Sequence, residues 1–339
     1  MPTLVIQTAF LGDVVLTTPL LSALAALHGP VDVVTTPVAA PLLETHPAVR
    51  TVIPYDKRGT DGGWGGVRNL ARRLKSEGYA RAYLPHRSLR TAALAFLARI
   101  PARIGFAGGS SFLYTEARPK PRTGHETVRL MALADGVSGV YPPQLRPTAE
   151  DEQVVADVLE MIGLERGAPF VALAPGSIWG SKRWPYYPEL AHWLASKGTP
   201  VVVVGGPADA DEGSQIVAAV AASQRVAATN ACGQLTLRQS AALIARAALL
   251  VTNDSAPLHL ATAMGTPVVA LFGPTATEFG FGPLRPGDVA LGIDSLQCRP
   301  CSSHGPPRCP LGHHRCMREL TVPAVFAAIE GLGALRRRD

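Results

Sequence analysis

The chain has 339 residues, 47% hydrophobic and 17% charged, which is too long for one core, too apolar for disorder and suited to two domains of about 150 residues each. Net charge is +6, but it is uneven: residues 1–146 hold 17 Lys and Arg against 9 Asp and Glu, and residues 147–339 hold 15 against 17. The whole positive excess lies in the first part, which points to an anionic partner there. The basic residues are mostly Arg scattered over helices and loops, without a nucleic-acid module or an aromatic stacking pattern, so a nucleic-acid partner is not expected.

From the start, MPTLVIQTAFLGDVV reads as a strand running into a loop. It lacks the basic region and cleavage site of a signal peptide, and the apolar runs, such as Ala242 to Val251 with Arg246 inside, are too interrupted to span a bilayer. A cytoplasmic chain is expected, with contact at a membrane surface left open. Strands are expected at Thr3–Gln7, Val31–Thr35, Val52–Pro54, Arg81–Leu84 and Ala102–Gly105, alternating with helices at Leu16–Leu27, Val67–Lys75 and Leu89–Ala98. A Pro-rich passage from Tyr141 to Pro147 breaks the rhythm. A helix from Ala149 to Ile162 then leads into strands at Phe170–Ala174, Pro200–Val204, Leu249–Thr252 and Pro267–Leu271, with helices beginning near Pro188, Asp209, Thr236, Ser255 and Thr321. This is the βαβ pattern of parallel α/β sheets. It predicts two doubly wound Rossmann-like domains facing across a cleft: residues 1–147, a linker region 148–168, a second domain 169–320 and a C-terminal helix in 321–339. Arg336, Arg337 and Arg338 read as a solvated helix end.

Ligands in such sheets bind beyond the carboxyl ends of the strands, which is where the distinctive segments fall. In Phe10-Leu11-Gly12-Asp13-Val14-Val15, two roles are open to Asp13: a cap for the following helix, or a general base. Ala174 to Pro185 (APGSIWGSKRWP) offers small residues, Gly176 and Ser177, whose neighbouring N–H groups can approach an anion, with Lys182 and Arg183 supplying charge; a purely structural loop is the alternative. It is not a P-loop, because neither glycine is followed by Lys-Ser or Lys-Thr at the required spacing. In Thr252-Asn253-Asp254-Ser255-Ala256-Pro257-Leu258-His259 a buried strand ends and a helix starts at once. Capping by Asp254 or Ser255 is one reading, and a second anion site at the free N–H groups around Asp254, Ser255 and Ala256, with His259 one turn on, is the other. Val201 to Pro207 is Gly-rich at its end but not G-x-G-x-x-G, which disfavours nicotinamide chemistry and leaves Asp209 or Asp211 to meet ribose hydroxyls. Finally, Cys298, Cys301, Cys309 and Cys316 lie within 19 residues, interleaved with His304, His313 and His314. A structural zinc or iron–sulfur site, reduced loop thiols and disulfides are all open, the last disfavoured in the cytosol. The fifth cysteine, Cys232, reads as a small buried hydrophobe.

FLGDVV, PGSIWGSKRWP, and TNDSAPLHLA followed by GTPVVALFGPT, taken in that order along nearly the whole chain, resemble the bacterial ADP-heptose:lipopolysaccharide heptosyltransferases of glycosyltransferase family 9, the heptosyltransferase II group in particular. The resemblance implies a GT-B fold, an inverting transfer without a required metal cofactor, a donor bound by the C-terminal domain and an acceptor bound by the N-terminal one. It implies that Asp13 is the catalytic base, that Ser177 and Lys182 hold the diphosphate, that Asp254 meets the donor sugar and that His259 lies near the diphosphate. ADP-heptose and an anionic lipopolysaccharide inner core are then the expected partners, with peripheral contact at the inner membrane surface. His86, Arg87, Arg90 and Arg103 are the residues expected to meet the acceptor. Another nucleotide sugar, a protein acceptor or a non-catalytic binding protein are the rival readings.

Overall fold

The structure is a computed structural model, and it describes residues 2–134, 136, 141–165, 167–221 and 226–333. The Arg336–Arg338 run lies outside the described residues. The chain divides into two units, 1–146 and 147–339.

Unit 1 is built on six parallel strands: β1 (Thr3–Ile6), β2 (Val31–Thr35), β3 (Val49–Pro54), β4 (Arg81–Leu84), β5 (Ala102–Phe106) and β6 (Glu116–Arg118), in the spatial order β3-β2-β1-β4-β5-β6. Central β1 is buried throughout, with Val5 in register with Val33 on one side and Tyr83 on the other. Such a strand reads as a continuous apolar run because both faces are covered. One cover includes Val67, Leu70 and Leu74 of the helix Gly63–Ser76 and Ala92 and Leu94 of the helix Leu89–Leu97; the other includes Leu20, Leu21 and Leu24 of the helix Leu11–His28.

That last helix starts five residues before the sequence suggests. Gly12 and Pro19 weaken the helical signal, and the structure shows how Pro19 is accommodated. Proline has no N–H for the carbonyl four residues back, and the hydroxyl of Thr18 donates to that Val15 carbonyl at 2.7 Å instead. Leu11–His28 is long and apolar enough to cross a membrane by length and composition alone, but it packs inside unit 1 with eleven buried residues.

Unit 2 repeats the plan with β7 (Val171–Ala174), β8 (Val201–Val203), β9 (Ala228–Asn230), β10 (Leu249–Asn253), β11 (Val268–Phe272) and β12 (Val289–Gly292), ordered β12-β11-β10-β7-β8-β9 and all parallel. The helix Ala149–Met161, read from sequence as part of a linker, is an integral part of this unit. Thr148 caps it, and its Asp151 meets Arg238 of the helix Leu237–Arg246 at 2.5 Å. The closing helix Val322–Gly331 stacks Phe326 on Trp193 of the helix Tyr187–Ser196, ring centroids 4.9 Å apart.

Three strands escape the sequence reading: β6, β9 and β12. All are sheet edges, and none has a fully buried residue pattern. An edge strand needs no apolar run, so periodicity carries little signal there.

Candidate functional site

In unit 1 the polar residues gather beyond the carboxyl ends of β1, β4 and β5. Gln7 shapes the first turn: its Nε2 donates to Thr17 at 2.9 Å, and its Oε1 accepts from the Ala9 N–H. Asp13 is the third residue of the helix Leu11–His28, and its Oδ2 accepts from the Phe10 N–H at 3.1 Å. The capping contact is therefore made, and it fixes the carboxylate in place. Burial first, and then the charge of Glu126, push Asp13 up to about 6, against the opposing pull of the Phe10 N–H and Lys120. A carboxylate titrating there remains ionised at neutral pH and is more basic than an ordinary aspartate.

Around it the sequence reading missed four charged groups. Glu126, itself buried, pairs with Lys120 at 2.5 Å and Arg129 at 3.3 Å. Lys57, in the loop after β3, donates to the Thr8 carbonyl, and its own carbonyl accepts from Arg90 at 3.3 Å. These residues lie in segments with no motif, and only the fold brings Glu126 and Lys120 to Asp13, with Arg129 on Glu126 and Lys57 on the Thr8 carbonyl. His86 follows β4; its buried Nδ1 has no hydrogen-bond partner among the described residues. Burial, with Lys57 and Lys120 nearby, lowers its pKa, so the ring is neutral at physiological pH. Arg87 is exposed and packs along Gly108. Arg103 stands apart from this group. It sits near the opposite end of β5, where its guanidinium donates to the Ile100 and Leu113 carbonyls at 2.6 and 2.7 Å, a bracing role rather than a place among the residues around Asp13.

Removing the Glu126 charge makes Asp13 easier to ionise. Glu126→Gln is expected to lower the Asp13 pKa, read from its carboxyl carbon in an NMR titration; a midpoint that stays in place means Glu126 does not act on Asp13.

In unit 2, Asn253 at the end of β10 holds the loop after β7. Its Nδ2 donates to the Pro175 carbonyl at 2.6 Å, and its Oδ1 accepts from the Trp184 N–H at 3.2 Å and the Tyr187 hydroxyl at 3.3 Å. Trp184 is fully buried and donates from its indole to the Leu320 carbonyl at 2.8 Å. So anchored, the loop delivers Lys182, almost buried, onto Asp254: Nζ lies 2.6 Å from Oδ2 and 3.1 Å from the Asp254 carbonyl. Thr275 donates to the same Oδ2 at 2.6 Å. Two of the three ammonium donors are thereby engaged. The helix Ala256–Met264 starts immediately after this pair, and neither reading of Asp254 or Ser255 as a side-chain cap holds: the N-cap, Ser255, makes no side-chain cap bond. His259, fourth in that helix, is buried edge-on to Phe281.

Arg183 reaches Asp209 and Glu212, both at 2.9 Å, and donates to the Ser177 carbonyl at 3.0 Å. Asp209 also accepts from the Gly206 N–H, which commits it within the loop, whereas Asp211 is exposed. An added Cβ at Gly176 would fall 2.4 Å from an Asp209 carboxylate oxygen, so a larger residue there displaces Asp209 from its present place. Ser177 accepts from the Trp179 N–H.

The cysteine-bearing segment lies against this loop. His314 Nε2 donates to the Ser181 carbonyl at 2.7 Å, Ser181 donates to the Pro306 carbonyl, and the Cys301 N–H donates to the Pro274 carbonyl at 2.7 Å. Gly305, at φ +78°, sits where a Cβ would come within 3.1 Å of Lys182 Cε. The thiols themselves turn to other partners. Cys301 donates to the Cys298 carbonyl, Cys309 accepts from the His314 N–H, and Cys316 is buried in the core, where burial and the neighbouring thiols push it up to about 11. Among the described residues no group of three or more His, Cys, Asp or Glu side chains is placed to hold a metal ion, and Cys298, Cys301, Cys309 and Cys316 form no disulfide. Cys232 is buried, as expected of a small hydrophobe.

Residues 67–309 match glycosyltransferase family 9 (heptosyltransferase). The chain belongs to that family. This family 9 glycosyltransferase is 30% identical over 325 residues to lipopolysaccharide heptosyltransferase 2 of Salmonella typhimurium, covering 86% of this chain and 92% of the relative. Among solved structures, the E. coli ADP-heptose lps heptosyltransferase II superposes with a TM-score of 0.82 at 27% identity over the full length of both chains. A family 9 glycosyl transferase from Veillonella parvula shares the fold, with a TM-score of 0.85 at 24% identity over 98% of this chain and 96% of that one. The resemblance carried by the three motifs is thus borne out, and the two-sheet α/β plan is the GT-B plan of these enzymes.

Proposed function

We infer that this glycosyltransferase moves heptose from ADP-heptose to the inner core of lipopolysaccharide by an inverting displacement, with Asp13 as the general base. The observation that carries the reading is Asp13 itself, fixed by the Phe10 N–H in the turn after β1 and raised to about 6 by burial and the charge of Glu126. The acceptor hydroxyl gives its proton to Asp13 as its oxygen bonds to the anomeric carbon. The bond from that carbon to the phosphate oxygen breaks, and ADP leaves with the electron pair.

The leaving diphosphate needs positive charge where its own charge grows. Lys182, held by Asp254, has a third donor for a phosphate oxygen, and the N–H groups at the start of Ala256–Met264 add the field of a helix N-terminus. In this reading, transfer requires no metal. Gly176, Ser177, Ser255 and His259 complete the donor side, with Asp254 turned to the sugar through its remaining oxygen. His86, Arg87, Arg90, Lys57 and Lys120 meet the phosphates and carboxylates of the acceptor. The enzyme works at the cytoplasmic face of the inner membrane, where a lipid-borne acceptor is presented. The cysteine segment braces the Lys182 loop and takes no part in the chemistry.

The test is to incubate the protein with ADP-heptose and a heptose-deficient core acceptor and to weigh the acceptor by mass spectrometry. A gain of one heptose supports the reading. A gain only with another nucleotide sugar, or only on a protein hydroxyl, overturns the donor or acceptor assignment.

A further inference from the structure

The helix Leu89–Leu97 carries an apolar stripe that the fold leaves uncovered. Leu89, Phe96 and Leu97 fall within about 100° of helical arc, and they are 51%, 49% and 41% exposed. On the other side of the same helix Ala92, Leu94 and Ala95 enter the core. Phe112, in the short turn Ser111–Leu113 packed beside that helix, is 75% exposed. Scattered surface hydrophobes need no explanation, but four large ones on adjoining elements do.

Between Glu77 and Glu116 the charges along the chain have one sign. From Gly78 to Thr115 the chain carries five Arg and no Lys, Asp or Glu. Arg87 and Arg90 flank the start of the helix, and Arg99 stands exposed just past its end. Arg103 lays its guanidinium 5.5 Å over the Phe96 ring and ties that ring to the Leu113 carbonyl next to Phe112. Aromatic and aliphatic groups framed by guanidinium groups suit a boundary with acyl chains below and phosphates above.

We propose that this face docks on a bilayer carrying anionic lipids, with Phe96, Leu97 and Phe112 entering the headgroup region and the arginines meeting lipid phosphates. Two copies pairing through the same face would bring their arginines together with no acidic residue in the segment to answer them, which favours a lipid partner over a second chain. The stripe begins just after His86, at the carboxyl end of β4, and runs along the helix to Leu97 and Arg99 at its far end. This extension rests on the reading of unit 1 as the side that takes a lipid-borne acceptor.

Flotation of the full chain with vesicles tests it. The protein is expected to float with phosphatidylcholine–phosphatidylglycerol vesicles, far less with phosphatidylcholine alone, and less as salt rises. Phe96→Ser with Phe112→Ser is expected to cut partitioning about tenfold or more, and Arg99→Gln about fivefold. Transfer to a water-soluble, deacylated acceptor should be unchanged in both variants. The proposal is overturned if the wild type does not float, if the double variant floats equally well, or if light scattering shows a dimer that the double variant splits. Intact flotation without any sugar transfer leaves the docking face standing and sinks the transfer reading instead.

Discussion

Asp13→Asn is expected to lower kcat by about a thousandfold, within the range for losing a general base, while leaving ADP affinity close to wild type. The same substitution should stabilise the protein. Asp13 titrates near 6 in the fold against 3.8 as an ordinary aspartate, so folding opposes its ionised form. Below pH 3.8 the group is protonated in both states and the cost is absent. It grows as pH rises towards 6 and is complete above that, on the order of 3 kcal/mol. Asparagine removes the charge yet still accepts from the Phe10 N–H. Thermal unfolding at pH 7.5 should therefore show a higher midpoint for Asp13→Asn, with the gap closing as pH approaches 4. A variant that keeps its activity removes Asp13 from the role of base, and one that is less stable at every pH shows that folding does not oppose the Asp13 charge.

Lys182→Met should cost stability and chemistry together. It strands the Asp254 carboxylate in a buried position with the Thr275 hydroxyl as its remaining side-chain contact, a loss of about 3–5 kcal/mol for breaking a buried pair from one side. The paired variant Lys182→Met with Asp254→Asn separates the effects. Without a charge to strand, much of the stability should return in urea unfolding. Affinity for ADP by calorimetry, and transfer, should stay low because the donor to the diphosphate is gone. If the paired variant recovers ADP binding along with stability, Lys182 is only a structural partner of Asp254.

The sequence reveals the interior of this protein better than its edges. β1, β7, β10 and β11 are buried on both faces, so hydrophobic runs announce them; β6, β9 and β12 border the sheets and carry no comparable pattern. A similar divide holds for the site. Asp13, Lys182 and Asp254 stand at strand–loop–helix junctions, where the change of pattern draws attention to them. Glu126 and Lys120 owe their position near Asp13 to chain crossings that no local spacing records. Arg103 shows the converse: a basic residue in a suggestive segment, yet at the wrong end of its strand. The cysteine spacing leaves a metal site, free thiols and disulfides open, and it says nothing of what the structure shows, that segment's backbone and His314 holding the Lys182 loop. Asn253 was visible within its motif, but its task of binding loop to strand depends on three contacts far apart in sequence.

The most direct test of the whole account is the stoichiometry of a reaction started with ADP-heptose and a heptose-deficient core acceptor, following ADP release and acceptor mass together. The account predicts one ADP for each heptose gained, with no release when the acceptor is withheld. ADP released without a matching gain in the acceptor, or no release at all, would contradict it.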